Sequence, residues 1–584
     1  MAVYNADRIR KSKYTTVSGQ PKQERRKYII GFDSEADTTS DGRPMLFQFS
    51  IPKQTEEDTL VFVVPETTHG GLKVFLDFLD AYCTERDREY LIYVWNLTYE
   101  LTQIFHDLPD NIKKQSDFTI NKIAGYDWSI SVLNFKREII DFTNKRIRVR
   151  LIDGMGFYKT SLDKAAKMLG LGEKYEYDGL ARNLFTRDDL DAPDFLKYAK
   201  RDAYITRLIG EFIQDQHKQY GIPTTISAPH FASTVFRTQF LRGGIGVPSG
   251  DLEQAGLYSY HGGKNGFYLD GPSEFPSIYQ YDITSAYPDA MKQLPNIETG
   301  RWTKTKGYKQ GSHALYCVSL NYYACKYRGM QNHDGSWTKS GLVDNVWITG
   351  YELDAIVRHG EARILKCWGF IFTGDSGGPL SEYVDKFFAI KRHTTGPERE
   401  TAKLLLNSLY GKFFQKQPLG TVGTFDFDKS GWIATDPTLD YDYEAGGLYH
   451  PPIASLITGY VRAKIHNLEH KYESVMTSTD GLFGSVPPDP NDLGKELGQL
   501  TVSKGRLRIW RERLYVFDVP GDKPKYALHG FHAKLQDLTE IPLARGDYLY
   551  DGTQVITLKM ATRMQRGQKY SAGQFVKMQF VLRI

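Results

Sequence analysis

The apolar run Tyr28–Phe32 leads into Asp33 and Glu35, two carboxylates that an extended chain sends out from one face. Like charges so placed repel, and a divalent cation relieves the repulsion; a solvated strand end carries the same pair with no cation at all. A second apolar run, Tyr90–Trp95, delivers Asn96, Tyr99 and Glu100. A helical stretch from about 192 to about 220 sets Tyr198 and Asp202 one turn apart on one face. Asp33, Glu35, Glu100 and Asp202 can together hold two Mg2+ or Mn2+ ions. One ion would generate hydroxide from water and the other would stabilise a departing 3′ oxygen, with Tyr198 orienting the attacking water.

A different constellation lies further along. Thr395, Gly396 and Pro397 punctuate the chain, with Pro397 suited to the first turn of a new helix. On that helix Arg399, Lys403 and Asn407 recur at intervals of four, and Lys391 precedes the break. Two cations on one helix face suit a nucleoside triphosphate; a surface helix with solvated lysines is the plainer alternative. Tyr410 and Gly411 close the face with a ring and a bare backbone, which admits a base pair closely.

In order and spacing these residues resemble the motifs of the family B DNA polymerases. Asp33-Ser34-Glu35, Asn96 to Glu100 and Tyr198 to Asp202 match the exonuclease motifs D-x-E, N-x-x-(F/Y)-D and Y-x-x-x-D. Glu100 stands where the family has aspartate, keeping the charge on a longer arm. Ser161-Leu162 resembles the element that holds a frayed primer strand, and Ser161 equally suits a helix N-cap. YQYDITSAYP resembles motif A with Ala286 for leucine. That resemblance makes Asp282 a ligand of both polymerase metals and sets Tyr287 where a ribose 2′-OH would clash. Lys403 to Gly411 matches motif B, K-x-x-x-N-S-x-Y-G, in full. Ser478-Thr479-Asp480-Gly481 stands for motif C, D-T-D-S: Asp480 is the second aspartate and Ser478 replaces the first. An aspartate restored at 478 is expected on the same strand face as Asp480, pointing toward the metals.

Two further elements belong to the resemblance. Tyr260-His261-Gly262-Gly263 is similar to the Y-x-G-G/A element between exonuclease and polymerase domains. Arg513-Leu514-Tyr515 is similar to the K-x-Y element that grips the primer end, with Lys525-Tyr526 as a rival. The implied nucleotide contacts are Tyr287, Lys391, Arg399, Lys403, Asn407 and Tyr410. The implied DNA contacts are Asn96, Tyr99, Ser161, Leu162, Tyr260, Gly262, Gly263, Ser285, Ser408, Gly411, Arg513 and Tyr515. The implied metal ligands are Asp282 and Asp480 in one centre and Asp33, Glu35, Glu100 and Asp202 in the other, each with two Mg2+ or Mn2+ ions.

The long intervals from Asp282 to Lys403 and from Lys403 to Asp480 are similar to those of the protein-primed branch found in small bacteriophages and linear plasmids. That branch carries two insertions, here at about 300–380 and about 414–450. The resemblance implies that the first docks a terminal protein and the second encircles the template. The implied enzyme is a strand-displacing DNA-directed DNA polymerase with a 3′–5′ exonuclease. A nuclease whose polymerase site is impaired by Ser478 is the competing reading.

The elements that must position these residues follow from pattern. The first third alternates apolar strands with helices, including a helix at GGLKVFLDFLDAYC, and ends at Gly221-Ile222-Pro223. The fold class implied is a ribonuclease-H-like α/β exonuclease domain over 1–225, then a right hand over 226–584. Its palm is expected at 226–300 and 451–525, its fingers at 381–413 and its thumb at 526–584. At 584 residues the chain exceeds a single ordinary core, and 41% hydrophobic with 25% charged residues is the composition of a soluble globular protein. No run is long enough to cross a bilayer, and the start lacks the apolar core of a signal peptide. A cytoplasmic monomer is expected, in the bacterial host cytoplasm for a phage chain, with primer-template DNA, dNTPs and a terminal protein as partners. Cys83, Cys317, Cys325 and Cys367 are scattered and read as reduced thiols. Arg8, Arg10, Lys11, Lys13, Lys22, Arg25, Arg26 and Lys27 crowd the first segment, as a solvated tail or as a phosphate-contacting arm.

Overall fold

The computed structural model describes residues 3–4, 9–10, 26–37, 42–107, 117–121, 123, 125–133, 139–177, 185–418, 423–426, 431–434, 443–531, 533, 535–555 and 575–584. Eight strands of the first third form one sheet. Their order is Leu60–Val63, Pro44–Ser50, Arg26–Ala36, Arg88–Val94, Arg148–Asp153, Ile139–Thr143, Ser129–Leu133 and Asp117–Ile120. Arg26–Ala36, Arg88–Val94 and Arg148–Asp153 run parallel, and the flanking pairs are antiparallel. A parallel strand is covered on both faces, which is why Tyr90 to Val94 reads as an unbroken apolar run. Leu91 and Tyr93 pack with Ile205 and Ile209 of the helix Pro193–Gln219. Tyr90, Ile92 and Val94 pack with Phe75 and Leu79 of the helix Gly70–Tyr82. The long helix presses so closely on the first strand that a Cβ on Gly31 would lie 2.1 Å from the Ala203 carbonyl oxygen. Pro193 opens this helix and Gly221, at φ 60°, follows its end, as its sequence punctuation requires.

The second part is built on a seven-stranded sheet. Its order is Lys264–Phe267, Ser474–Thr479, Gly481–Gly484, Ser273–Ile283, Leu500–Arg511, Leu514–Asp518 and Lys525–Leu528, antiparallel throughout. The helix Pro451–Tyr472, buried along most of its length, packs on it together with the helix Ala286–Gln293. Helices Pro379–His393 and Gly396–Ser408 form an antiparallel pair beside them. Between motifs A and B lies a second sheet, Arg301–Lys306, Ala362–Thr373, Ala314–Tyr322 and Gly341–Thr349, whose free edge is extended by Val3–Tyr4. Within 414–450, Lys416–Pro418 pairs with Tyr443–Ala445 and Gly423–Asp426 with Gly431–Ala434. The C-terminus contributes the helix Leu535–Glu540 and the hairpin Asp547–Val555 with Phe575–Arg583.

One hydrophobic core runs through both parts, joining Tyr93 and Ile205 to Tyr281, Ile457 and Leu482. In the crowded basic segment, Arg10 lies in the two-residue strand Ile9–Arg10, which pairs with Ile245–Gly246; Arg26 and Lys27 begin the first long strand. Arg8, Lys11, Lys13, Lys22 and Arg25 lie outside the described residues. Among the described residues no helix is long and apolar enough to cross a membrane, and all four cysteines are free thiols.

Two candidate carboxylate centres

The first centre lies where the parallel strands meet the long helix. Asp33 and Glu35 leave the strand Arg26–Ala36 on one face, as alternation requires. Asn96, in the left-handed region at φ 69°, turns the chain into the helix Leu97–Ile104, which carries Glu100 inward. Ser34 Oγ donates to Glu100 Oε2 at 2.5 Å, fixing the longer arm of the glutamate. Tyr198 and Asp202 come down from the helix Pro193–Gln219, both buried. Burial and the neighbouring Asp202 push the Asp33 carboxyl up to about 8. Glu35 and Glu100 are raised by burial and by each other's neighbours, and Tyr99 and Tyr198 by burial and by the carboxylates around them.

Sequence reasoning missed Lys174 in this centre. Its ammonium pairs with Asp202 Oδ2, lies 5.1 Å from the Tyr198 ring centroid, and opposes the rise of Asp33 and Glu35. A single lysine in a polar loop carries no periodic signal, so nothing in the sequence singles it out. Asp202 Oδ1 is buried without a hydrogen-bond partner. Three buried carboxylates and the half-buried Asp33, with one ammonium between them, form a hard, all-oxygen, over-negative donor set, which fits Mg2+ or Mn2+. Ser161 caps the helix Leu162–Leu169 by accepting from Lys164 N at 3.4 Å and is exposed. Leu162 is 5% exposed and belongs to the main core, so of this pair only Ser161 faces solvent.

The second centre lies at the middle of the seven-stranded sheet. Asp282 ends the strand Ser273–Ile283 directly opposite Gly481, and Asp480 holds the turn beside it through its carbonyl, which accepts from Ile283 N at 2.9 Å. Burial and then Asp480 raise the Asp282 carboxyl, and Lys525 opposes the rise. Two like-charged carboxylates of this kind again fit a divalent cation. The Tyr287 and Tyr410 rings stack at 4.0 Å with an interplanar angle of 2°. Burial, then Tyr410 and Asp480, raise the Tyr287 hydroxyl, and burial and Asp480 raise that of Tyr410 against the opposing hydrogen bond with Tyr287. Lys391 Nζ donates to Ser285 Oγ at 2.8 Å. Burial and then Arg399 and Lys403 depress the Lys391 ammonium, so the three cations converge. Asn407 and Gly411 are exposed and Ser408 is half-buried. A Cβ on Gly411 would meet nothing within 4 Å, so the packing of the fold does not itself require glycine there.

Motif C departs from expectation. Thr479 has φ 60°, which reverses the chain, so Asp480 is a turn residue between two paired strands and not a continuation of the Ser478 strand. Ser478 pairs with Gly481, and Gly481 with Asp282. Ser478 thus shares the sheet face of Asp282 at a distance of two strands, about 10 Å at the usual strand spacing. Tyr260 stacks on Phe414 at 3.7 Å, and the carbonyls of His261 and Gly262 accept from Arg462. A Cβ on Gly263 would lie 2.6 Å from Thr479 Cγ2, so this glycine lets the connecting segment pass against the motif C turn. The two primer-end candidates prove to be neighbours. Tyr515 packs on Phe483 and its hydroxyl is raised by burial and then Asp282, with Arg513 opposing. Lys525 Nζ donates to Gln280 Oε1 and Ser503 Oγ.

Residues 192–422 match the family model for DNA polymerase type B, organellar and viral. The DNA polymerase of Streptococcus phage Cp-1 is 25% identical over 266 residues, 40% of this chain and 45% of that protein. The DNA polymerase of Bacillus phage Nf is 26% identical over 275 residues, 41% of this chain and 45% of that protein. The chain thus spans about 45% of the length of these curated relatives. Phi29 DNA polymerase, solved with primer-template DNA, superposes with a TM-score of 0.65 over 96% of this chain and 100% of that one, at 16% identity. The chain therefore resembles the family B DNA polymerases of the Phi29 type, and its fold is a ribonuclease-H-like unit followed by a right hand.

Proposed function

We propose that this relative of the family B DNA polymerases is itself a template-directed DNA polymerase with a separate 3′–5′ exonuclease centre. We further propose that it starts from a protein hydroxyl and displaces the strand ahead of it. The observation that carries the polymerase reading is the meeting of Asp282, Asp480, the stacked Tyr287 and Tyr410, and the cations Lys391, Arg399 and Lys403. Divalent ions held by Asp282 and Asp480 would neutralise the triphosphate and activate the primer 3′ hydroxyl. Lys391, Arg399 and Lys403 bind the triphosphate oxygens, and Lys391 also holds the motif A turn through Ser285. Tyr287, pressed flat against Tyr410, sets a floor under the sugar that leaves no room for a 2′ hydroxyl.

In the exonuclease centre Asp33, Glu35, Glu100 and Asp202 would hold the ions, and the Tyr198 hydroxyl orients the attacking water. Asn96, Tyr99 and Ser161 receive the 3′ end, and Tyr260, Gly262 and Gly263 guide the strand between the centres. Arg513, Tyr515 and Lys525 hold the primer terminus beside Asp282. Support for protein priming and displacement comes from the two additions, the four sheet strands within 301–373 and the paired strands within 414–450. The strand Gly423–Asp426 of the second addition reaches the strand Asp117–Ile120 of the first sheet, as a collar round the template would. The test is extension of a primed template with dNTPs and Mg2+ or Mn2+, run beside degradation of a labelled single strand. Both activities are expected. Degradation without extension would replace this reading by the nuclease with an impaired polymerase site, and neither activity would end both.

A further inference from the structure

Away from both carboxylate centres, Glu361, His466 and His470 bring three potential ligand atoms within 4.8 Å of one another. Among the described residues no other trio of histidine, cysteine, aspartate or glutamate does so. Glu361 stands at the start of the strand Ala362–Thr373 in the inserted sheet. His466 and His470 are one turn apart on the helix Pro451–Tyr472, which spans the seven-stranded sheet. Glu361 Oε1 lies 2.9 Å from Nε2 of each imidazole. Glu361 and His466 are buried, whereas the His470 side chain is 28% exposed and leaves a way in.

Hydrogen bonding alone does not account for the cluster. His466 Nε2 is buried with no hydrogen-bond partner, because Glu361 Oε1 lies near it but off the direction of a ring N–H. On its other side, His466 Nδ1 lies 3.3 Å from Glu469 Oε2. Lys264 Nζ, 2.8 Å from the same Nδ1, can only donate, so Nδ1 accepts and the ring proton sits on Nε2. With Lys264 turned wholly to Glu469, Nδ1 can instead donate to that carboxylate and offer Nε2 to a metal. Charge points the same way. Lys264 pairs with Glu469, and Arg462 holds Glu352 through contacts of 2.7 and 2.9 Å. Among the described residues, the side-chain contacts of Glu361 are the two imidazoles and the Tyr322 hydroxyl, the latter 3.2 Å away, and Lys264 is close enough for its charge to be felt. Lys264 opposes a metal here, and its ion pair with Glu469 gives it a second partner to turn to.

We propose that Glu361, His466 and His470 form a binding site for a zinc-class divalent ion that clips the inserted sheet to the long helix. Two imidazoles and one carboxylate are a borderline donor set that favours Zn2+ or Co2+ over Mg2+. The site therefore differs in ion preference from the all-oxygen centres. Water completes the fourth position from the His470 side. The ion adds no chemistry to nucleotide transfer; it joins two elements that meet only through tertiary packing.

The full chain, purified without chelator, loaded with Zn2+ and dialysed against excess Mg2+, should retain about one zinc per molecule. Glu361→Gln and His470→Gln should retain less than roughly a tenth of that, while Asp33→Ala and Asp282→Ala retain it fully. Chelated wild type reloaded with Co2+ should show the intense visible bands of a four-coordinate ion, absent from His470→Gln. Wild type that keeps no zinc and shows no such bands, or well-folded variants that keep zinc at the wild-type level, would overturn the proposal. Should a variant fail to fold, the Co2+ spectrum of the wild type decides alone.

Discussion

Asp282 lies opposite Gly481 with Asp480 in the turn beside it, while Asp33, Glu35, Glu100 and Asp202 belong to the first sheet and the helices packed on it. Asp282→Ala or Asp480→Ala is accordingly expected to lower nucleotide addition by about a thousandfold or more, a loss of the size seen when a charge-stabilising group is removed. Degradation of a single strand should stay within about twofold, since the other centre is untouched; parallel time courses on one folded preparation measure both. Ser478 invites a smaller change than its place in the motif implies. Two strands from Asp282, an aspartate there would act through water and screened field. Ser478→Asp should lower the Mg2+ needed for half-maximal single-nucleotide addition by about twofold to threefold and no more. A metal titration giving a rise, or a tenfold fall, would show a different disposition of that turn. The acidic and motif B residues were legible because each sits at a fixed offset from an apolar run. Lys174 was not, because its partners are distant in sequence and its own surroundings are polar.

The helix pair Pro379–His393 and Gly396–Ser408 was announced by Gly396 and Pro397, and it is what makes three distant cations neighbours. Arg399 and Lys403 share Glu400 at 2.8 and 3.6 Å, leaving Lys391 as the cation without a carboxylate partner in the group. Lys391→Ala should therefore raise the KM for dNTP by about tenfold, the worth of one charge-assisted hydrogen bond. Its kcat for single-strand degradation should not change. An unchanged KM would place the triphosphate elsewhere on the helix face. The hairpin at motif C was the element that pattern could not foresee. Its reversal rests on Thr479 at φ 60°, a conformation that β-branched residues rarely adopt, so alternation was carried straight through a turn.

At the scale of the molecule, the two-part division was visible in composition and punctuation, but the shared core was not. It depends on which faces of Leu91, Tyr281 and Ile457 meet in space. That core also contains groups that set the acid limit of the fold. Burial lowers His217 to about 3 and His450 to about 4, and His450 caps the helix Pro451–Tyr472 by accepting from Ile453 N. Both are neutral in the folded chain and take up protons on unfolding below about pH 6.5. Their contribution is therefore fully present above that pH and is lost as pH falls toward the folded values. The loss is at most roughly 3 kcal/mol for His450. Melting temperature should fall between pH 6.5 and 4, and His450→Asn, which keeps a capping acceptor, should flatten that fall. An identical pH slope in the variant would assign the acid sensitivity to other groups.

The pairing of Val3–Tyr4 with Thr303 and Trp302, and of Ile9–Arg10 with Ile245–Gly246, bears on the time course of synthesis. These two short strands leave the ribosome long before their partners exist. At translation rates of about 5–20 residues per second the wait is on the order of tens of seconds. The first sheet can close in that interval without them, so these two short strands wait unpaired until Ile245–Gly246 and Arg301–Lys306 have been made.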